Sequence, residues 1–387
     1  MKQGIKQLLQ ASDFSSIYEA REMARKILPR VVFDYVDGGA EDEVTMRANV
    51  EAFDKICFNP RMAQGPVIPN LKTTVLGHEI DLPVILAPCG LVRAMHPDAG
   101  GGVAQAAKNM NTISILSTVA GSDVREVAPR APGLVWFQLY STRGKEDSLP
   151  LMERAKDAGV THLVVTVDTP ALGNRERDRR NGVQSPLRID ARSALRLGPQ
   201  VLARPRWTYQ MARDGLQTYK SKKGIPKESG SEMLSMGVSP FSWDDIAWIK
   251  KEWGGPVIVK GILSGRDALL AIESGAEAVV VSNHGGRQLE GSPATISVLS
   301  DVVSSVDGKC EIFLDGGIRR GSHVVKALSL GAKAVLIGRP YLYGLAVSGQ
   351  IGVERVLKCF RAEAIRTMTL LGCPDVNILD STWLQDS

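Results

Sequence analysis

Residues 256–287 read PVIVKGILSGRDALLAIESGAEAVVVSNHGGR, and the order of apolar runs within them decides the fold. The stretch opens on a β-branched run, Val257-Ile258-Val259, and passes through a helix-like segment, Ala268-Leu269-Leu270-Ala271-Ile272. It breaks at Gly275 and closes on a second apolar run, Ala278-Val279-Val280-Val281. Runs apolar on both faces and joined through a helix are buried parallel strands. The same unit repeats in both directions. Upstream lie Val84-Ile85-Leu86-Ala87, Ile113-Ser114-Ile115-Leu116, Leu134-Val135-Trp136-Phe137 and Leu163-Val164-Val165-Thr166-Val167. Downstream lie Ile312-Phe313-Leu314 and Ala334-Val335-Leu336-Ile337, which brings the total to eight. Eight βα units in succession predict an α/β protein of the closed (β/α)8 TIM-barrel class, not an open doubly wound sheet. Gly159, Gly275 and Gly331 stand where helices should end before the next strand.

Spacing sets the organisation. Strand starts fall about 20 to 35 residues apart, as βα repeats should, except that Leu163 and Val257 are separated by 94. The excess is a long insertion after the fourth barrel strand, over 178–240. The expected organisation is one domain over 1–387. It has an N-terminal segment (1–80) with a helix over Asp13–Leu28, a barrel (84–345), and a C-terminal helix and tail (346–387). With 44% hydrophobic and 23% charged residues, the composition is that of a folded protein and excludes disorder. The net charge of +5 is too mild to imply nucleic acid. Five scattered cysteines without a C-x-x-C pair predict neither a disulfide framework nor a metal site, and fit a reducing cytoplasm. The polar start lacks a signal-peptide core and no apolar run reaches membrane-spanning length, so a cytoplasmic protein is expected.

Barrel chemistry gathers at the C-terminal ends of the strands. There the chain delivers Pro88-Cys89-Gly90, Ser117, Gln138 with Tyr140, Thr166 with Asp168, and Lys260. Strand six leads into Ser282-Asn283-His284-Gly285-Gly286-Arg287, strand seven into Asp315-Gly316-Gly317-Ile318-Arg319, and strand eight into Gly338-Arg339. A structural barrel has no need of so polar a rim. Taken singly, the last two loops are ordinary turns; taken together, bare glycine backbone beside Arg319 and Arg339 predicts a phosphate cradle. There is no G-x-G-x-x-G, and Gly316 to Ser322 lacks the lysine of a Walker A loop, so NAD on a Rossmann unit and ATP on a P-loop are poor readings. His284 suits a general base, Arg287 a carboxylate clamp, and Asp168 the group that orients the imidazole. Lys260 can set positive charge against a cofactor or form a Schiff base, and the residues alone leave both open.

The segment Ser282 to Leu289 resembles the active-site signature of the FMN-dependent α-hydroxy-acid dehydrogenases and oxidases, which include glycolate oxidase, flavin L-lactate dehydrogenase and mandelate dehydrogenase. The resemblance extends through Phe33 to Asp42, Leu116 to Thr118, Trp136 to Tyr140, Thr166 to Pro170, Gly173 to Asp178, Val259 to Ile262 and Leu314 to Gly321. It implies FMN as cofactor and oxidation of a small L-2-hydroxy acid to the 2-keto acid. It implies His284 as base oriented by Asp168, Arg287 and Arg175 on the substrate carboxylate, and Tyr35 and Tyr140 as hydrogen-bond donors. Lys260 would lie by the flavin N1–C2=O edge. Pro88, Cys89, Gly90, Ser117, Gln138 and Thr166 would line the ring, with Ser282 beside it. Asp315, Gly317, Arg319, Gly338 and Arg339 would hold the ribityl chain and phosphate.

Two departures bear on the substrate. Val119 stands where glycolate oxidases carry Trp, and Gly90 where many oxidases carry Ala, so the pocket should admit lactate- or mandelate-like acids and leans towards a dehydrogenase. The second acceptor is left among quinone, cytochrome and O2. The family also implies a homo-oligomer, often a tetramer. Competing readings are a non-redox flavin-barrel isomerase, a Schiff-base lyase and a non-catalytic scaffold. Finally, 177–227 carries thirteen basic and three acidic residues, which leaves the rest of the chain at −5. Leu195, Leu197, Val201, Leu202, Trp207 and Tyr209 interleave with them, a pattern that suits peripheral contact with the inner face of a membrane through 178–227. A mobile lid or a subunit contact suits it as well.

Overall fold

The computed structural model describes residues 13–65, 68–140, 144–182, 191–215 and 240–385. A two-stranded hairpin, β1 (Thr73–Val75) and β2 (His78–Ile80), precedes the barrel strands. These are β3 (Val84–Leu86), β4 (Ser114–Ser117), β5 (Val135–Leu139), β6 (Leu163–Thr166), β7 (Val257–Ile262), β8 (Ala278–Val281), β9 (Glu311–Leu314) and β10 (Ala334–Ile337). All pair in parallel and close as β10-β3-β4-β5-β6-β7-β8-β9, with Val335 opposite Val84 at the seam. All eight strands predicted from the apolar runs are present. Gly159, Gly275 and Gly331 each adopt positive φ at the predicted helix ends.

The strand period of two divides the core in two. Ile85, Ile115, Trp136, Val164, Ile258, Val280, Phe313 and Leu336 fill the barrel interior. Their neighbours Leu86, Leu116, Phe137, Val165, Val259, Val281, Leu314 and Ile337 belong to the layer shared with the helices. Continuing the inward parity one step gives Ala87, Ser117, Gln138, Thr166, Lys260, Ser282, Asp315 and Gly338. The same alternation that packs the interior with apolar side chains therefore presents polar ones at six of these eight rim positions.

The segment before the barrel folds into α1 (Ile17–Ile27), α2 (Arg30–Asp37) and α3 (Val44–Asp54). The predicted helix over Asp13–Leu28 is shorter because the Ser16 hydroxyl caps its start by accepting from Glu19 N. The C-terminal helix begins earlier than 346. It runs Arg339–Leu371, with non-helical Ser348 and Gly349 forming a kink, so the boundary expected at 345/346 falls close to that kink.

Beside a π-helical turn at Met211–Gly215, the insertion expected to be mobile has three α-helices among its described residues: Glu176–Arg180, Ala191–Leu202 and Pro205–Gln210. The last two are docked through Arg204 to Leu28 O at 3.0 Å, Arg206 to Val347 O at 2.9 Å and Trp207 Nε1 to Ala94 O at 2.9 Å. Leu28 and Val347 lie at helix ends or kinks, where carbonyls lack an intrahelical partner. The parts of the insertion at 183–190 and 216–239 lie outside the described residues.

Candidate active site

One cleft of about 180 Å³ opens at the C-terminal rim. Of the residues singled out from sequence, all but Gln138, Asp168 and Ser282 line it. Those three stand behind the lining and bond to it. Gln138 Nε2 donates to Thr166 Oγ1 at 2.8 Å, Lys260 Nζ donates to Ser282 Oγ at 2.7 Å, and Asp168 meets His284.

His284 follows β8 in a tight turn with φ +57, a left-handed conformation that a non-glycine residue adopts only under local constraint. The Ser282 hydroxyl holds that turn by accepting from His284 N at 3.1 Å. Beyond it, Gly286 has φ +71, and a Cβ there would lie 2.5 Å from Met46 N. The His284 Nδ1 lies 2.9 Å from Asp168 Oδ1, so the carboxylate accepts from Nδ1–H and leaves Nε2 as the basic nitrogen. The Tyr140 hydroxyl lies 3.4 Å from that Nε2. Burial lowers the His284 pKa and Asp168 opposes the shift only in part, so the imidazole is neutral at pH 7. Burial would raise Asp168, but His284 and Lys260 outweigh it and keep the carboxyl below its ordinary range.

Lys260 is 4% exposed and ion-paired to Asp315 Oδ2 at 2.9 Å. Burial disfavours its charge, yet Asp315 and Asp168 more than compensate and hold the ammonium above its usual pKa. A Schiff base needs a neutral amine, and this lysine is held charged, which removes the support for the lyase reading. The bulge at Gly261 (φ +113) allows this approach: a Cβ there would lie 2.7 Å from the Asp168 Cβ.

Two arginines, Arg175 and Arg287, line the same cleft. Arg287 Nη1 donates to Tyr35 O at 2.7 Å and Gly38 O at 2.9 Å, and its guanidinium lies over the Tyr35 ring at 5.1 Å. Arg175 Nη2 donates to Gln288 Oε1 at 3.1 Å. Burial first, and Arg287 second, lower Arg175 to about 10. An anion bound beside both guanidiniums would relieve this repulsion. Gly90 is the floor beside them: a Cβ there would sit 2.9 Å from the Tyr35 hydroxyl and 3.2 Å from Val119 Cγ2.

At the other end, Gly316 and Gly317 have φ +89 and +76, and a Cβ on Gly317 would lie 1.9 Å from Asn49 O. Arg339 donates to Val36 O, Gly285 O and Gly38 O at 3.0, 2.9 and 2.8 Å. Burial first, then Arg287, lower Arg339 to about 10, and burial lowers Arg319 as well.

Sequence reasoning missed the residues that tie these loops together. Asn49 of α3 and Asn283 form a reciprocal amide pair, with bonds of 2.8 and 2.9 Å. Gly286 N and Thr295 N fix which end of each amide is oxygen. Asp37, Thr169 and Leu172 were also missed; the last two line the cleft. Asn49 and Leu172 lie outside the segments that carry the resemblance, and Asp37, Thr169 and Asn283 lie inside them with no local sign of their partners.

A parallel barrel whose rim carries an Asp-held histidine, a caged lysine and two cleft-lining arginines belongs to the class of barrel enzymes that bind a phosphorylated cofactor and a small carboxylate. A model described as FMN-dependent dehydrogenase matches residues 24–386. An L-lactate oxidase of Nostoc sp. is 39% identical over 374 residues, covering 95% of this chain and 97% of that one. The 2-hydroxyacid oxidase 1 of Mus musculus is 38% identical over 368 residues, covering 95% of each. Among solved structures, the monotopic membrane protein (S)-mandelate dehydrogenase superposes with a TM-score of 0.88 at 33% identity, covering 97% of this chain and 100% of that one. A mandelate oxidase gives 0.79 at 32% identity, covering 96% and 98%. The chain belongs to the FMN-dependent dehydrogenase family, whose relatives oxidise 2-hydroxy acids.

The residues present fit FMN. Gln138 Oε1 and Asp315 Oδ1 are buried acceptors with no hydrogen-bond partner among the described residues, spare capacity of the kind that a flavin imide N–H and a ribityl hydroxyl use. The bare glycine backbone and the paired arginines suit its phosphate.

Proposed function

We propose that this protein oxidises an L-2-hydroxy acid of lactate- or mandelate-like size to the 2-keto acid. The observation that carries the reading is the His284–Asp168 pair at 2.9 Å, opening on the same cleft as Arg175 and Arg287. When bound, FMN supplies the two-electron acceptor. Arg287 and Arg175 bind the substrate carboxylate, with the Tyr35 and Tyr140 hydroxyls donating to the carboxylate and to the 2-oxygen. His284 Nε2 takes a proton from the substrate, and Asp168 stabilises the imidazolium that results. Lys260, held charged by Asp315, would lie by the N1–C2=O edge of a bound flavin and favour its reduced, anionic form. Pro88, Cys89, Gly90, Ser117, Gln138, Thr166 and Ser282 would surround a bound flavin ring, and Asp315, Gly317, Arg319, Gly338 and Arg339 would hold its ribityl chain and phosphate. The two arginines also speak against the isomerase reading, which calls for a diphosphate or ring substrate and not for a small carboxylate.

The test is His284→Gln. It should keep bound FMN and reduce it about 10²–10⁴-fold more slowly with substrate. Reduction at the wild-type rate would remove the histidine from this role.

The second acceptor is a quinone or cytochrome in a dehydrogenase and O2 in an oxidase. The oxidase names of the relatives favour O2; the 0.88 superposition on a monotopic mandelate dehydrogenase favours a membrane acceptor. No helix among the described residues is long and apolar enough to cross a membrane. Peripheral contact through 178–227 draws support from its +9 charge and from Leu202 and Tyr209, which are exposed. Co-sedimentation with anionic vesicles that is lost as salt rises would sustain this contact, and indifference to vesicles at low salt would end it.

A further inference from the structure

The segment that cages both clamp arginines has an anchor of its own. Carbonyls of Tyr35, Val36 and Gly38 receive Arg287 and Arg339, and Asp37 lies in the middle of that run. Its carboxylate is 4% exposed and takes no part in the chemistry above. It accepts from Arg21 Nε at 2.6 Å and Nη2 at 2.8 Å, from Arg177 Nη1 at 2.9 Å, and from the Tyr343 hydroxyl at 2.8 Å. These donors come from α1, from the helix Glu176–Arg180 at the base of the insertion, and from the C-terminal helix just past Arg339. Arg177 also bonds Glu43, whose other oxygen accepts from Gly39 N at 2.9 Å. The packing leaves no slack: a Cβ on Gly38 would sit 2.7 Å from Asp34 O and 3.3 Å from the Arg177 Cδ.

We propose that Asp37 is a positioning residue for both ligand clamps. By fixing the 35–38 backbone it sets the carbonyls that aim Arg287 at the substrate carboxylate and Arg339 at the cofactor phosphate. Through Arg177 it makes the base of the insertion part of that frame. The inference rests on the proposed clamp roles. Charge-assisted bonds to a buried carboxylate are short and directional, so four of them hold a loop more firmly than packing alone. Neither arginine touches Asp37, so removing its charge should loosen both at once.

The experiment uses full-length Asp37→Asn, near-isosteric but uncharged, and Arg177→Met, which keeps the Arg21 fork should the first variant fold poorly. FMN affinity of the apoprotein is read by fluorescence quenching, and carboxylate affinity by the spectral change on adding oxalate to the FMN-loaded protein. Asp37→Asn should weaken both by about tenfold, the size of one charge-assisted bond. Arg177→Met should weaken both by less. Burial would raise the Asp37 pKa, but Arg21 outweighs it and holds it at about 2, so these losses should not vary between pH 6 and 9. Asp37→Glu should recover part of each affinity. A lower melting temperature with both affinities unchanged, or loss of one affinity alone, would overturn the shared frame. If wild-type protein bound FMN but gave no response to oxalate, the clamp assignment itself would fail, which is a separate result.

Discussion

Asp168→Asn tests the proton-handling half of the site in a form that can be given a size. The wild-type carboxylate faces His284 Nδ1 at 2.9 Å and lies beside Gly261, where the bulge leaves room for little else. Asparagine keeps the shape and removes the charge. When Nε2 takes a proton, the imidazolium loses a counter-charge whose centre lies about 4 Å away. At an effective dielectric near 20 such a pair is worth ~4 kcal/mol. At 1.36 kcal/mol per decade, the lost counter-charge alone accounts for roughly a 10³-fold drop in the rate of flavin reduction. Asparagine can also donate to Nδ1, which would place the proton on Nε2 and block the base. The pH dependence has a definite sign. Asp168 raises the His284 pKa against burial and Lys260, so its loss should move the acidic limb of the profile to lower pH. The assay is anaerobic stopped-flow reduction between pH 5 and 9, with bound FMN confirmed by absorbance. A rate within threefold of wild type, or an acidic limb displaced upward, would refute the reasoning.

Lys260→Met removes a charge held by Asp315 at 2.9 Å. It should weaken FMN retention and lower the flavin midpoint potential, and an unchanged potential would contradict its placement by the ring. Val119→Trp should shift kcat/KM towards smaller acids, since overpacking costs on the order of 1–3 kcal/mol. Gly90→Ala should do the same more mildly by pressing on the Tyr35 hydroxyl, and an unchanged ratio of lactate to mandelate would remove both residues from the pocket wall. At the opposite end of the barrel, His162 stacks on Trp136 at 4.6 Å and meets His78 at 4.9 Å. Burial first, with His78 adding to it, lowers the His162 pKa from 6.5 to about 4. Its folded-state pKa is depressed, so its contribution is present above pH 6.5 and is lost as pH falls towards 4. Urea unfolding should show His162→Phe losing about 2–3 kcal/mol less than wild type between pH 7 and 4.5. Equal losses would place the acid sensitivity elsewhere.

Strand order was legible because the barrel strands are apolar on both faces, and the inner rim was legible because Ser117, Gln138, Thr166, Lys260, Ser282 and Asp315 each lie one parity step beyond an inward core residue. Lys260 follows Ile258 in this way, and Asp315 follows Phe313. The hairpin β1–β2 was not legible. Each of its strands has three residues, one of them exposed in each, too few to show a period. Asn49 and Asp37 were invisible for another reason. Asn49 meets Asn283 across 234 residues and Asp37 meets Tyr343 across 306, so nothing local marks either as a partner. The insertion was read by its charge, whereas its docking depends on side chains reaching the bare carbonyls of Leu28, Ala94 and Val347.

The central claim is that Arg287, Arg175 and His284 together select and oxidise an L-2-hydroxy acid. Anaerobic titration of the FMN-loaded protein with L- and D-lactate, L- and D-mandelate, glycolate and an L-2-hydroxy acid methyl ester tests it most directly. The account predicts rapid bleaching of the flavin absorbance by at least one free L-acid, with the D-acids and the ester, which lacks the carboxylate charge, leaving the flavin oxidised. Bleaching by the ester as fast as by the free acid, or by D- and L-acids alike, would contradict it.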